Sequence, residues 1–254
     1  MISSGARKKS MKKAAVKLLV FAFWVLVWEA ACLAAGSELL LPSPAQTFLR
    51  LFELAGTARF WLNALMSLAR IVEGFLLGVL AGTVLGAAAA RLKLLHDFLS
   101  PVINMVKSTP VASFIILALV WIKKDGVPVF ISFLMVLPIL WGNVTQGIAQ
   151  TDKGLLEMAA LFRFGRRKTV TKVYAPSVMP YFLAGCTTAL GLAWKAGVAA
   201  EVLSLPARSI GRELYNAKIY LETTDLFAWS AAVILLSIAL EKLLVSGLKA
   251  VNSR

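Results

Sequence analysis

The chain contains six apolar runs that are each about as long as the hydrocarbon core of a lipid bilayer is thick, and this feature restricts its fold most strongly. A helix needs about 20 residues to cross that core. Hydrophobic residues make up 59% of the chain, and whole stretches are apolar on every side, which identifies lipid as their solvent. The predicted spans are residues 18–35, 64–90, 98–122, 127–149, 181–205 and 226–245.

The distribution of basic residues predicts the orientation of these spans. A net charge of +14 would suit a nucleic-acid-binding protein, but Lys and Arg collect on one side of a six-span topology, as expected for cytoplasmic segments. We therefore expect both termini in the cytoplasm, with residues 1–17 as a basic N-terminus and 18–254 as one transmembrane domain. A cleaved signal sequence is the alternative for the N-terminus, but Glu29 interrupts its apolar run. On the inner side we place Arg7, Lys8, Lys9, Lys12, Lys13, Lys17, Arg91, Lys93, Lys153, Arg163, Arg166, Arg167, Lys168, Lys172, Lys242, Lys249 and Arg254.

Glycines recur every fourth residue in the second span, at Gly74, Gly78, Gly82 and Gly86. In lipid, small residues let helix backbones approach closely. The stripe predicts a packing face, within the subunit or against a second copy, and we favour packing within the subunit. Pro110 and Pro138 fall inside the third and fourth spans, where proline permits a bend.

Among the charged residues within the predicted spans, where a charge usually faces protein or water, four are candidates for a functional role: Arg70, Glu73, Lys195 and Glu201. Arg70 and Glu73 are three residues apart and can pair on one helix face. Lys195 and Glu201 are six apart, which favours partners on another span. All four are candidates for lining a transport path or for fixing helix packing.

The sequence lacks the residue patterns that nucleotide binding, metal binding and triad catalysis require. The chain has no Gly-rich loop followed by Lys-Ser or Lys-Thr to hold a nucleotide phosphate. His96 is the only histidine, and no metal site or catalytic triad can be assembled. We therefore expect no enzyme activity and no cofactor in this chain.

A basic, amphipathic loop at residues 150–178 lies between two spans. Leu155, Leu156, Ala159 and Ala160 share one side of a short helix, and Gly165 is suited to end it. Residues 166–174 predict a second short helix that stops before Pro176. The small residues would let a partner approach closely; contact with lipid head groups is the alternative.

These residues carry a family resemblance. Glu157-Met158-Ala159-Ala160, then Gly165 and Pro176, resemble the EAA signature of inner-membrane subunits of ABC importers, although Ala175 stands where Leu is usual. Further stretches are similar to the nitrate/sulfonate/taurine branch of that family and extend the likeness over nearly the whole chain. They are Leu41-Pro42-Ser43-Pro44, Ser67-Leu68-Ala69-Arg70, Gly74-Phe75, Gly78, Gly82, Pro101, Pro110, and Ala193-Trp194-Lys195 with Glu201.

The resemblance implies an all-α, six-helix permease of the type I ABC importer fold in the bacterial inner membrane. It implies a pair of permease subunits and separate cytoplasmic ATPases that bind ATP and Mg. The ATPases are expected to bind the loop at Glu157, Ala159, Ala160, Gly165 and Pro176. It also implies a solute-binding protein outside, for which the polar segment 206–225 is a candidate docking surface. The expected solute is sulfonate-, taurine- or nitrate-like, or a thiamine-precursor-like heterocycle. The second permease subunit is either a second copy of this chain, which we favour, or a different chain. The alternative is a stand-alone secondary transporter or channel, which predicts inverted repeats that we do not find.

The topology predicts the position of the C-terminus. A reporter fused after Arg254 should be active only in the cytoplasm, because an even number of spans returns the chain to its starting side. The measurement is paired alkaline phosphatase and fluorescent-protein fusions, and phosphatase activity outside the membrane would contradict it.

Overall fold

The described part of the chain is built of helices. A computed structural model describes residues 3–252, with side chains described for 15–247. Its elements are α1 Ser3–Ala35, α2 Pro44–Ala55, α3 Ala58–Arg91, α4 Lys93–Ser108, α5 Val111–Trp121, α6 Val127–Ala149, α7 Lys153–Leu161, α8 Arg166–Thr169, a π-helical turn Val170–Tyr174, α9 Ala175–Ser204, α10 Ile210–Ile219 and α11 Thr223–Asn252. Five helical stretches are long and apolar enough to cross a membrane, or six if the bent pair of α4 and α5 counts as one. The predicted all-α membrane fold is confirmed. The basic side chains of Arg7, Lys8, Lys9, Lys12, Lys13, Lys249 and Arg254 lie outside the described residues.

The third predicted span, residues 98–122, is wrong as a single helix. It is divided between α4 and α5, whose axes differ by 106°. Thr109 is extended (φ −81°, ψ 132°), and Pro110 follows with φ −57° and ψ 134°. Proline disfavours the helical conformation in the residue before it and has no N–H for the preceding turn, so the helix ends there. Pro138, by contrast, lies inside α6, which runs without a break.

One compact unit combines residues up to Phe60 with Glu213–Ala232. Ser43 caps α2 in it, and the capping box with Gln46 is complete, because Ser followed three residues later by Gln is the sequence pattern of such a box. The Arg50 guanidinium bonds Asp225 at 2.6 Å, which raises the pKa of Arg50 and keeps it charged.

The second unit combines Trp61–Arg212 with Val233–Arg254, and it contains most of the predicted site residues. Within it, α6 packs along α9, and residues from both helices are buried in the contact. The same helix α6 also meets the glycine stripe of α3, and Ser132 takes part in both contacts. A Cβ on Gly78 would lie 2.6 Å from the Val136 Cβ, and one on Gly86 would lie 2.8 Å from the Trp141 carbonyl oxygen. A Cβ on Gly74 would collide with the Val129 carbonyl. The stripe therefore packs within the subunit, as favoured above.

The closeness of this contact predicts the effect of a single methyl group. In Gly82→Ala, the new Cβ would lie 2.7 Å from the Leu137 carbonyl oxygen and 2.8 Å from the Leu140 Cβ, so the helices must separate. We expect a loss of about 1–3 kcal/mol of stability, measured as a lower unfolding temperature in detergent. Gly191→Ala in α9 is the matched control, since a Cβ there meets nothing within 4 Å. Equal unfolding temperatures for the two variants would refute tight α3–α6 packing.

Candidate functional site

The predicted loop is an angular helical segment, residues 152–174, which we call the elbow. Its first helix, α7, is capped by the Asp152 carboxylate, which accepts a hydrogen bond from the Gly154 N–H at 2.7 Å. The turn that ends α7 is made by Arg163, which has a left-handed backbone (φ 52°), while the Phe164 N–H returns to the Ala159 carbonyl at 2.8 Å. The prediction that Gly165 ends the helix is therefore wrong: Gly165 is extended (φ −67°, ψ 159°) and precedes α8.

The second half of the elbow continues into a long helix. From Arg166 to Ser204, α8, the π-turn and α9 form one stretch of 39 residues. The Ala175 N–H bonds the Val170 carbonyl, five residues back, and the Ser177 hydroxyl donates to the Val173 carbonyl at 2.8 Å. The prediction that the helix stops before Pro176 is wrong. Pro176 lies in the first turn of α9, directly after the wider π-turn, where the local hydrogen-bond pattern has already shifted.

The elbow has an exposed apolar face. Leu155, Met158, Leu161 and Phe162 are 41%, 44%, 81% and 67% exposed, although α7 is only nine residues long and cannot span a membrane. Glu157 and Ala160 are exposed beside them. Ala159 is buried at 2% exposure inside the elbow itself, so of the two alanines only Ala160 is open to a partner.

The elbow also carries a set of exposed basic side chains, which we call its basic rim. Lys168 holds its ammonium 4.0 Å from the centre of the Phe164 ring, a cation–π contact within the elbow. A Cβ on Gly165 would meet nothing within 4 Å, so neither space nor backbone conformation in this chain requires glycine there. The exposed basic side chains are Lys153, Arg163, Arg166, Arg167, Lys168 and Lys172.

A second set of predicted residues meets far along α9 from the elbow, in what we call the Arg70 cluster (Ser67, Arg70, Asp125 and Glu201). The Glu201 carboxylate is fully buried. It accepts hydrogen bonds from the Ser67 hydroxyl at 2.7 Å, the Gly211 N–H at 3.2 Å and the Arg70 guanidinium at 3.4 Å. These contacts tie α9 to α3 and to the start of α10, which confirms that the partners of Glu201 lie on another span.

Arg70 has four acceptors, and none of them is Glu73. Its guanidinium bonds Asp125 at 2.7 Å and the carbonyl oxygens of Ala207 at 2.8 Å and Arg208 at 3.2 Å, in addition to Glu201. The predicted Arg70–Glu73 pair is therefore wrong, because the buried Glu201 carboxylate and two loop carbonyls lie on the side of α3 that faces the protein. Glu73 is exposed and lines an open groove of about 1320 Å³ between α3 and α6.

Two members of the cluster were absent from the predicted set of site residues. Ser67 lies three residues before Arg70 on α3, a spacing that places both on one helix face, so this partner was available from helical periodicity. Asp125 follows two lysines in a loop, and no pattern connects it with a residue 55 positions away. Lys195, the remaining predicted residue, is exposed on α9 outside the cluster.

Comparison with known proteins agrees with the membrane fold. Residues 74–254 match the family model described as binding-protein-dependent transport system inner membrane component. The chain is 28% identical over 214 residues to a Bacillus subtilis protein named as an aliphatic sulfonates transport permease, covering 83% of this chain and 77% of that one. It is 28% identical over 205 residues to a nitrate import permease of Synechococcus elongatus, covering 76% and 73% of the two chains. It is 25% identical over 233 residues to the taurine transport system permease of Escherichia coli, covering 89% and 83%.

The geometry of the Arg70 cluster predicts unequal effects for substitutions of Arg70 and of Asp125. Arg70→Met would leave the Glu201 charge buried without its cation, which should cost about 3–5 kcal/mol and lower the unfolding temperature in detergent by about 10 °C or more. Asp125→Asn should cost less than about 1 kcal/mol, because the Asp125 side chain is 64% exposed. Adding Glu201→Gln to Arg70→Met should restore part of the loss. Equal losses in the two single variants would contradict this account.

Proposed function

Because this chain belongs to the family of binding-protein-dependent transport system inner membrane components, we propose that its elbow receives the force of a separate ATPase and that α9 passes it on to the transport path. The chain is a multi-pass protein of the cytoplasmic membrane and a permease subunit of an ABC importer, in the nitrate/sulfonate/taurine branch. The proposal concerns how this subunit takes part in ATP-driven import.

The exposed apolar face of the elbow is the single observation that carries this proposal. Four large apolar side chains, Leu155, Met158, Leu161 and Phe162, project from a short segment with a basic rim. An apolar patch with a polar rim marks a binding surface for another protein. Its small size and helical shape suit insertion into a cleft on the ATPase.

The roles of the loop residues follow from their exposure. Glu157 and Ala160 lie beside the apolar face and contact the ATPase directly. Gly165 stays small because the partner, rather than this chain, occupies the space next to it. Ala159 and Pro176 act indirectly: Ala159 packs the elbow, and Pro176 stands where the elbow joins α9.

The helical stretch that contains α9 transmits a displacement of the elbow into the membrane. Arg166 to Ser204 is one helical stretch, so a displacement of the elbow moves α9 without an intervening loop. The far end of α9 is tied to α3 through Glu201 and Arg70. Closure of the ATPase on ATP thereby tilts α9 about its contacts with α3 and α6 and changes the access of the path.

The other components of the transporter bind the nucleotide, complete the path and deliver the solute. ATP and Mg bind the partner ATPase, and this chain performs no catalysis. A second copy of the permease completes the path, and a solute-binding protein docks outside near the polar helix α10. The solute is a small sulfonate-, taurine- or nitrate-like compound or a thiamine-precursor-like heterocycle, the first group being favoured by the relatives named above.

Two substitutions in the elbow test the coupling role. Glu157→Lys reverses a charge beside the apolar face, and Gly165→Leu fills the space left to the partner. Each should weaken ATPase binding at least about tenfold, as expected for a residue in the centre of an interface. The measurement is the amount of ATPase retained on the tagged permease in mild detergent, together with permease yield in the membrane fraction.

Glu222→Lys is the matched control, because it makes the same charge change at an exposed residue outside the elbow. It should retain the ATPase fully. Normal ATPase retention and uptake in Glu157→Lys and Gly165→Leu would remove the coupling role of the elbow.

A further inference from the structure

A cavity of about 560 Å³ lies where the elbow joins α9. Its walls are mostly apolar and come from three long helices as well as from the π-turn. They include Ala87 on α3, Val144 and Ile148 on α6, and Met179 and Phe182 on α9. Ligand sites in proteins commonly have volumes of about 300–1,000 Å³, so this cavity is large enough to hold a ligand.

The cavity extends into the membrane-spanning part of the helices. Thr83 lies eight residues before Arg91 on α3, and Phe182 lies eight residues after Tyr174, so the lining residues cover about 12 Å along the helices. Thr83 and Phe182 both fall inside predicted spans, at the depth of lipid acyl chains. Thr83 is the only polar side chain that lines this deep end, and a polar solute there would lose hydrogen bonds with water. The deep end therefore suits a hydrocarbon chain.

The other end of the cavity carries a cation. Arg91 ends α3, and its guanidinium carbon lies 5.9 Å from the centre of the Tyr174 ring. Arg91 is exposed, and no carboxylate of the described residues pairs with it. Val170 and Ala175 are also exposed, so the cavity is open at this end. A guanidinium group can bind a phosphate through two parallel hydrogen bonds. The cavity thus combines a basic mouth with an apolar interior, which is complementary to an anionic phospholipid.

We propose that this cavity binds an acyl chain of an anionic phospholipid from the cytoplasmic leaflet, and that Arg91 binds the phosphate of the same lipid. The inference rests on the proposed function for the side of the membrane, because the elbow that contains Tyr174 binds a cytoplasmic ATPase. Basic side chains near the membrane surface attract anionic lipids. The basic rim of the elbow and Lys93 supply further charges of this sign.

The bound chain would lie between α3 and the junction of the elbow with α9. Val170 and Tyr174 of the π-turn line the cavity from one side, and Ala87 and Ala88 of α3 line it from another. A chain packed between them adds dispersion contacts with both sides. A ligand that binds only the folded permease also stabilises it against unfolding. We therefore expect the lipid to raise the unfolding temperature of the permease.

Lipid binding is measured on the permease with its ATPase, purified in mild detergent and freed of native lipid. The two probes have the same acyl chains: dioleoyl-phosphatidylglycerol is anionic, and dioleoyl-phosphatidylcholine has no net charge. Native mass spectrometry measures the bound lipid, and thermal unfolding measures the stabilisation. The anionic lipid should bind and raise the unfolding temperature, and the uncharged lipid should bind at least about fivefold more weakly. Equal binding of the two lipids would overturn the proposal.

Arg91→Gln tests the contact with the phosphate. It should weaken binding of dioleoyl-phosphatidylglycerol at least about tenfold, because charge-assisted hydrogen bonds are lost. Arg91→Lys keeps the charge and should lose less. Lys93→Gln is the matched control, since it makes the same charge change at an exposed residue that does not line the cavity, and it should leave binding unchanged. Equal losses in Arg91→Gln and Lys93→Gln would contradict a specific site, because general attraction to basic side chains would then explain the binding.

Ala87→Phe tests the cavity itself, because the new ring would occupy the space assigned to the acyl chain. It should weaken binding of dioleoyl-phosphatidylglycerol at least about tenfold, since burial of several methylene groups is lost. Met179→Trp fills the same space from α9, so the test holds if one of the two variants fails to fold. Undiminished lipid binding in either folded variant would place the lipid elsewhere.

A soluble anion distinguishes the lipid from its headgroup. Glycerol 3-phosphate carries the phosphate without acyl chains, and a millimolar concentration should not displace the lipid. Displacement would refute the lipid as the occupant, because the phosphate alone would then be recognised. Retention of the ATPase is measured in every sample. A wild-type permease that retains the ATPase but binds no anionic lipid would refute this inference alone, whereas one that never retains an ATPase would refute the proposed function.

Discussion

The direct contact between the backbones of α3 and α6 is the interaction on which the second unit depends. In lipid there is little hydrophobic drive for one helix to leave the tails and join another, so association depends on close packing. The glycines at 74, 78, 82 and 86 provide it, because a Cβ at any of them would lie within 3 Å of a heavy atom of α6. Because α6 and α9 pack together and both also contact α3, the three helices form the framework that positions both the Arg70 cluster and the elbow.

The charges of this framework fall into two kinds. Arg70 and Glu201 are buried and satisfied by each other, by Ser67 and by backbone groups, so they join helices. Their burial makes the pair expensive to break but does not make it a source of stability, since a buried ion pair gains little over apolar packing. What it adds is a single permitted arrangement, because α3, α9 and the loop before α10 must all be in place for the guanidinium to be satisfied. Glu73 and Lys195 are exposed and unused by packing, which is why Lys195 becomes a candidate for contact with solute.

A single helical stretch carries part of the elbow, the exposed Lys195 and the buried Glu201. Arg166 lies at the elbow, Lys195 at mid-span and Glu201 near the far end, all on the run from Arg166 to Ser204. The π-turn at Val170–Tyr174 and Pro176 stand where the elbow meets the span. A π-turn carries one extra residue in the helical register and is frequent at functional sites. Here the π-turn lies between the elbow and the span without interrupting the helical stretch.

The amino-acid sequence by itself determined the membrane fold, the approximate spans, the capping of α2 and the glycine packing face, because each depends on local length, periodicity or residue type. It also located the elbow, through the residues Glu157, Gly165 and Pro176. Only the tertiary structure decided that Arg70 pairs with Glu201 and Asp125 instead of Glu73, that α4 and α5 diverge at Pro110, and that Ala159 faces inward while Leu161 and Phe162 face out. Those outcomes depend on which side of each helix meets its neighbours, and residues 55 or 131 positions apart along the chain carry no local signal of their contact.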